Sequence, residues 1–434
     1  MPKKWSPHAW HRRASRPVMV WMVVFIVIGL AHPLVPEPRW LLIHVFTLGI
    51  LTNSVVLWSQ NLTERFLQQR LPDSARPAQL RRTWALNAGV VCVLVGQFLG
   101  GWWRGHYALT WVGAAIVAGV LGWHSWQLYA QVRRAGRGKR LRPVVLGYVA
   151  SAVFLPVGVA FGSALSFGLP GDWQERVRLA HLVTNVGGFV GLAALASLTV
   201  LFPSMWRVNG MHDRAGVSVP LAVAGVIVAS CGALAGLDLL ASAGTVVYVA
   251  AWLWTFHGFL VNVLDVLRDP RGRVTYAGLS VFASLIWLIV TLIWFAVRLT
   301  TPDLPTLALM LGFAAQLLIG TMSYLLPTTM GGGPRAVRAG LAELSRAAYF
   351  RVVLFNGSLA CWLATDNSWL RVVMSVLCFG VLVAFLPLMG RAIRAQVGVL
   401  KGKDSLIDAT PTQHPATQSA AALVVLGVLI AVLS

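Results

Sequence analysis

Thirteen apolar runs long enough to cross a bilayer constrain this chain more than any single motif. They lie at 17–35, 39–60, 84–103, 107–130, 143–166, 177–202, 215–236, 240–264, 275–298, 305–327, 347–364, 370–390 and 419–434. A helix rises about 1.5 Å per residue and the hydrocarbon layer is about 30 Å thick, so about 20 apolar residues make one crossing. With 57% hydrophobic and 11% charged residues, against roughly 25% charged in soluble domains, no soluble core absorbs these runs. The expected class is an all-α polytopic membrane protein. Its organisation reads as a basic cytoplasmic tail at 1–16, a twelve-helix membrane domain at 17–395, a cytoplasmic linker at 396–418 and a C-terminal transmembrane helix at 419–434. The first run follows a basic stretch, as in a signal peptide, but it shows no small-residue cleavage site and leads straight into the next run, so it reads as a retained helix.

A formal net charge of +21 raises a nucleic-acid reading, which the placement of the charge removes. With the N-terminus in the cytoplasm, 29 of the 35 basic residues fall in segments on the inner side and 6 on the outer side, the bias that orients membrane proteins. The partner implied by the charge is the lipid bilayer of the cell membrane, and no nucleic acid. Twelve crossings return the chain to the cytoplasm, so the thirteenth helix is expected to run outward and the C-terminus to lie outside. A chain that ends at Ser434 within an apolar run could continue into an external domain, and the sequence leaves that open. Cys92, Cys231, Cys361 and Cys378 form no C-x-x-C pair and read as small buried hydrophobes.

Histidine carries more information. Four of the ten histidines sit inside apolar runs: His44 in span 2, His124 in span 4, His181 in span 6 and His257 in span 8. Ionisable groups in hydrocarbon are costly and need a reason. Even-numbered spans run inward, which puts His44 ~6 Å below Trp40 and His181 ~7 Å below Arg176 at about 1.5 Å per residue. These two form an outer tier; His124 and His257, roughly 25 Å down their helices, form an inner one. Each tier matches the need of a ligand held between two helices for donors at one depth.

The surroundings repeat as well. "WHSW" at 123–126 and "FHGF" at 256–259 share the order aromatic, histidine, small, aromatic. "HVFTLGILTNS", "HLVTNVGGFVGLAALASLTVLFP" and "LALMLGFAAQLLIGTMSYLLP" share a glycine in the outer half of the helix, and the last two reach a proline at Pro203 and Pro327 at the same spacing from Gly188 and Gly312. Units recurring every fourth helix imply a twelve-helix bundle of three four-helix arcs, with spans 2, 6 and 10 equivalent.

On these residues the chain resembles subunit I of the haem-copper oxidases and their divergent relatives. "HLVTNVGGFVGL", "FPSMWR" and "SYLLP", with an outward thirteenth helix, are most similar to the membrane half of actinobacterial proteins that carry a multicopper-oxidase or nitrite-reductase-like domain outside. The resemblance covers roughly residues 17 to 395. It implies a low-spin haem ligand at His44, a copper ligand at His181, haem b or copper as cofactor, and an external cupredoxin-like partner or domain.

The departures limit what is implied. Span 10 reads "LALMLGFAAQ" and lacks the histidine pair that holds the two haem irons in the oxidases, and the span 6 copper motif is missing. A complete oxygen-reducing centre is not expected. All 14 acidic residues lie in loops or near span ends, so proton pumping is not expected either. Candidate ligands are His44, His181, His124 and His257, with Met310 on span 10 as a soft third donor; the alternative is that each histidine bonds a neighbouring helix. "GGGP" at 331–334 lacks the Lys and Ser/Thr of a phosphate loop and reads as a turn. Two functions remain: a haem- or copper-binding membrane redox protein, an oxidoreductase or electron-transfer component serving an external copper domain or nitrogen-oxide or copper handling; or a transporter whose histidines line a pathway. The matched prolines at the inner ends of spans 6 and 10, and not at midplane, weigh against the transporter.

Overall fold

A computed structural model describes residue 10 and residues 13–210, 214–270, 273–297, 305–402 and 414–433. Most of the basic tail, and the centre of the linker at 403–413, lie outside these. The described chain is helical throughout, and thirteen helices are long and apolar enough to span a membrane. They are α1 (Arg16–Leu34), α2 (Pro38–Phe66), α3 (Asp73–Gly101), α4 (His106–Ala135), α5 (Arg142–Leu165), α6 (Trp173–Trp206), α7 (Ala215–Ala235), α8 (Asp238–Arg268), α9 (Tyr276–Val297), α10 (Ala308–Met330), α11 (Gly333–Ala364), α12 (Ser368–Leu400) and α13 (Pro415–Leu433). Helices satisfy every backbone N–H and C=O internally, which is why an apolar chain in lipid adopts them. Prolines open α1, α2, α3 and α5, where a missing N–H costs nothing.

The chain divides into two compact units, Met1–Val200 with Gly210–His257 and Ile293–Asp303, and Leu201–Asn209 with Gly258–Leu292 and Leu304–Ser434. In unit 1, α3 packs along α4 and α4 along α5. In unit 2, α11 is broken at Ser345–Ala347, where Ala347 takes a φ of 48°. Its first part, Gly333–Leu344, is an amphipathic helix the sequence reading leaves as a loop. It lies on Phe385–Leu400, the second half of α12. Gln396 there donates to the carbonyls of Pro327 and Gly331 at 2.9 and 2.7 Å. The preceding "GGGP" is the turn expected, with positive φ at Gly331, Gly332 and Gly333.

Among the described residues, three helices are interrupted internally by wider turns: α2, α6 and α10. Each contains a π-helical stretch: Val45–Thr52, Val183–Gly191 and Ala308–Ala315, of 8, 9 and 8 residues. Each stretch holds the glycine singled out in sequence, and each glycine meets an aromatic ring from the helix before it. A β-carbon at Gly49 would lie 2.7 Å from Trp21, at Gly188 2.6 Å from Phe154 and at Gly312 2.6 Å from Trp287. Only glycine lets these rings sit on the backbone. In two repeats the ring is further fixed from the helix after: Trp21 donates to Asn87 at 2.6 Å and Trp287 to Asn356 at 2.7 Å. The four-helix periodicity is therefore present as a repeated local structure.

Candidate functional site

Wide π turns weaken the backbone ladder, and polar side chains act on the carbonyls in and beside them. In α2, Thr52 donates to Thr47 O at 2.8 Å, Asn53 to Gly49 O at 2.8 Å and Ser54 to Ile50 O at 2.7 Å. In α6, Tyr248 of α8 donates to Gly187 O at 2.9 Å and Ser151 of α5 to Phe189 O at 2.7 Å. Long π stretches are rare, and π turns concentrate at functional sites. Here two of them closely follow His44 and His181 along the chain.

His44 is the last α-helical residue before its π stretch. Its ring stacks on Trp40, centroids 3.9 Å apart and planes at 21°, and its Nδ1 lies 2.8 Å from the Trp40 carbonyl oxygen. A carbonyl only accepts, so Nδ1 carries the proton and Nε2 keeps its lone pair. His181 stands two residues before the start of its own π stretch, with Leu182 between. Its Nδ1 lies 2.8 Å from the Gly158 carbonyl of α5, which puts the proton on Nδ1, and the Asn185 amide nitrogen stands 3.1 Å from Nδ1 and 3.5 Å from Nε2. Gly158 and Gly162 make the groove that admits it: a β-carbon at Gly162 would come within 2.8 Å of the imidazole, and one at Gly158 within 2.2 Å of the Asn185 side chain. Asn185 donates to the His181 carbonyl at 2.9 Å, and its buried Oδ1 has no partner.

Both imidazoles are half-buried, and both belong to unit 1. The two are not equivalents in the repeat, since His44 precedes its glycine by five residues and His181 by seven. The corresponding residue of α10 is Leu307.

The inner tier divides. His124 is buried, 1% exposed, with Nε2 2.9 Å from Ser59 Oγ of α2 and a buried Nδ1 without a partner. His257 is exposed on α8, and no hydrogen bond or ring contact joins it to His124 among the described residues. Equal depth along two helices does not fix which way a side chain turns, and periodicity around a single histidine carries no such signal. Met310, 6% exposed, is buried in the π stretch of α10 in unit 2. The four cysteines are free.

Among the described residues no group of three or more His, Cys, Asp or Glu side chains is arranged to hold a metal ion. Two imidazoles with Nδ1 at backbone carbonyls form a different donor set, the His181 Nε2 having the Asn185 amide nitrogen 3.5 Å away. Ligating histidines are held in this manner, the second nitrogen fixing tautomer and ring orientation. Two such imidazoles do not by themselves make a three-imidazole copper site.

Helix content, span number and span apolarity define the class: an all-helical, multi-pass membrane protein. Compared with protein-family models and with curated protein sequences, the chain matches none.

Proposed function

We propose that the protein is a membrane electron-transfer component that binds haem b through His44 and His181. One observation carries the reading: two histidines on different helices of unit 1 each turn Nδ1 to a backbone carbonyl at 2.8 Å, which leaves the His44 Nε2 as a donor and the His181 Nε2 with the Asn185 amide nitrogen 3.5 Å away to displace. A bound haem would supply one-electron chemistry. The chain's own part is to hold the ligands in one tautomer, through Trp40 and Gly158, and to keep the site out of water. The repeat at α2, α6 and α10 supports three four-helix arcs in the manner of haem-copper oxidase subunit I. The absence of an imidazole at Leu307 and elsewhere in α10 supports a role short of oxygen reduction. An external cupredoxin-like partner or domain, reached from an outward C-terminus, is the exchange partner this reading favours, and the cell membrane the location.

Absorbance of the purified, reduced protein together with metal analysis tests it. A Soret band with haem iron near one per chain is expected. Stoichiometric copper without haem would move the ligands to a copper-handling role. Neither metal would leave the histidines as hydrogen-bonding groups and favour the transporter.

A further inference from the structure

The inner half of unit 1 holds a polar cluster that no part of the proposed redox role uses. α2, α3 and α4 meet there through several pairs of polar side chains. Ser59 meets His124 at 2.9 Å, Gln60 donates to Gln131 at 3.3 Å, and Arg82 donates to Gln127 at 2.5 Å. Arg76 pairs with Glu64 at 2.9 Å and also donates to Gln79 at 2.9 Å. The Arg76–Glu64 pair is neutral as a unit. Arg82 is not neutralised: its guanidinium is 2% exposed, and among the described residues no carboxylate reaches it. Its one aromatic neighbour is Trp123, with the ring centroid 5.9 Å away.

Five buried polar atoms of this cluster lack any partner: Arg82 Nε, Gln79 Nε2, Thr63 Oγ1, Gln60 Oε1 and His124 Nδ1. Unsatisfied buried groups are rare in proteins, and each one marks strain or an unseen water, ion or ligand. A buried charge without a counter-charge is costlier still. Three of the five, on Arg82, Gln79 and Thr63, are or include hydrogen-bond donors. An uncompensated cation beside spare donors is the arrangement that binds an oxyanion, because charge-assisted N–H and O–H bonds to oxygen are the strong ones.

We infer that Arg82, with Gln79 and Thr63, binds a small, singly charged oxyanion within the inner half of unit 1. One guanidinium calls for one negative charge, and a site sealed this far from solvent calls for a small one. A dissolved anion and the phosphodiester of an anionic lipid share that chemistry, and the test separates them.

The full chain, delipidated in neutral detergent, is melted while sodium nitrate or sodium acetate replaces sodium gluconate at constant ionic strength. A saturable rise in Tm is expected with the small anions, since a ligand bound only by the folded state stabilises it. Arg82→Gln abolishes the rise and Gln79→Leu weakens it, the second variant leaving the cation in place should the first fold poorly. If the lipid supplies the anion, the rise appears instead with phosphatidylglycerol vesicles and not with phosphatidylcholine vesicles, and it still depends on Arg82. A rise of equal size in Arg82→Gln, or no rise with either source, overturns the assignment and leaves a water-filled network.

Discussion

In unit 1, Gly49 of α2 receives the indole of Trp21, whose Nε1–H is held by Asn87 at 2.6 Å; in unit 2, Gly312 of α10 receives Trp287, held by Asn356 at 2.7 Å. The packing device is the same, down to the π-helical backbone beneath the glycine. The chemistry is not. The residue before the π stretch is His44 in α2 and Leu307 in α10, and all four intramembrane histidines belong to unit 1. Polar reinforcement differs too. Asn87 also exchanges hydrogen bonds with Asn53 at 2.8 and 3.1 Å, whereas Asn356 otherwise donates only to the Val352 carbonyl. A repeated scaffold carries its packing in both units and its intramembrane histidines in one.

The comparison is broken most forcefully at the glycines. Gly49→Leu and Gly312→Leu each force an indole off the backbone and are expected to cost about 1–3 kcal/mol, seen as a lower Tm in detergent. Similar losses at the two sites support equivalence, and a silent Gly312→Leu would break it. Next come the asparagines. Asn87→Leu unpairs both Trp21 and Asn53 and is expected to cost about 2 kcal/mol, while Asn356→Leu unpairs only Trp287 and costs about 1 kcal/mol; denaturation curves of the two variants give the difference. Smallest is Tyr248→Phe, which removes one hydroxyl from the Gly187 carbonyl and is expected to cost about 0.6 kcal/mol, the usual size of an interhelical hydrogen bond in lipid.

Much of the scaffold is legible in the sequence because lipid demands it. Every apolar run expected to cross the membrane is part of one of the thirteen long helices, and the glycines of α2, α6 and α10 mark the repeat. What could not be read is tertiary. Nothing about Trp21 or Trp287 in its own helix says that a glycine will receive its ring, and π geometry leaves no periodic trace in an almost wholly apolar segment. Hydropathy also misleads at Arg82. It starts the third span at residue 84 and assigns the preceding arginines to an inner segment, as topology charge. The helix begins at Asp73, and Arg76 and Arg82 are buried side chains within the bundle of unit 1. Hydropathy likewise passes over Gly333–Leu344, whose amphipathic pattern averages out in a window wide enough to find spans.

Depth in the sequence picks out His44 and His181, and the structure adds that Nδ1 of each stands 2.8 Å from a backbone carbonyl. His124 and His257 meet the same depth criterion, yet one is bonded to Ser59 and the other is exposed.

Haem content of single-histidine variants tests the central claim most directly. Soret absorbance and haem iron per chain would be measured side by side in the unaltered protein, His44→Ala, His181→Ala and, as a control on the inner tier, His124→Ala, each with its melting curve. The account predicts haem near one per chain in the unaltered protein and in His124→Ala, and its loss in His44→Ala and His181→Ala with the helical fold intact. Full haem occupancy in a folded His44→Ala or His181→Ala variant would contradict it.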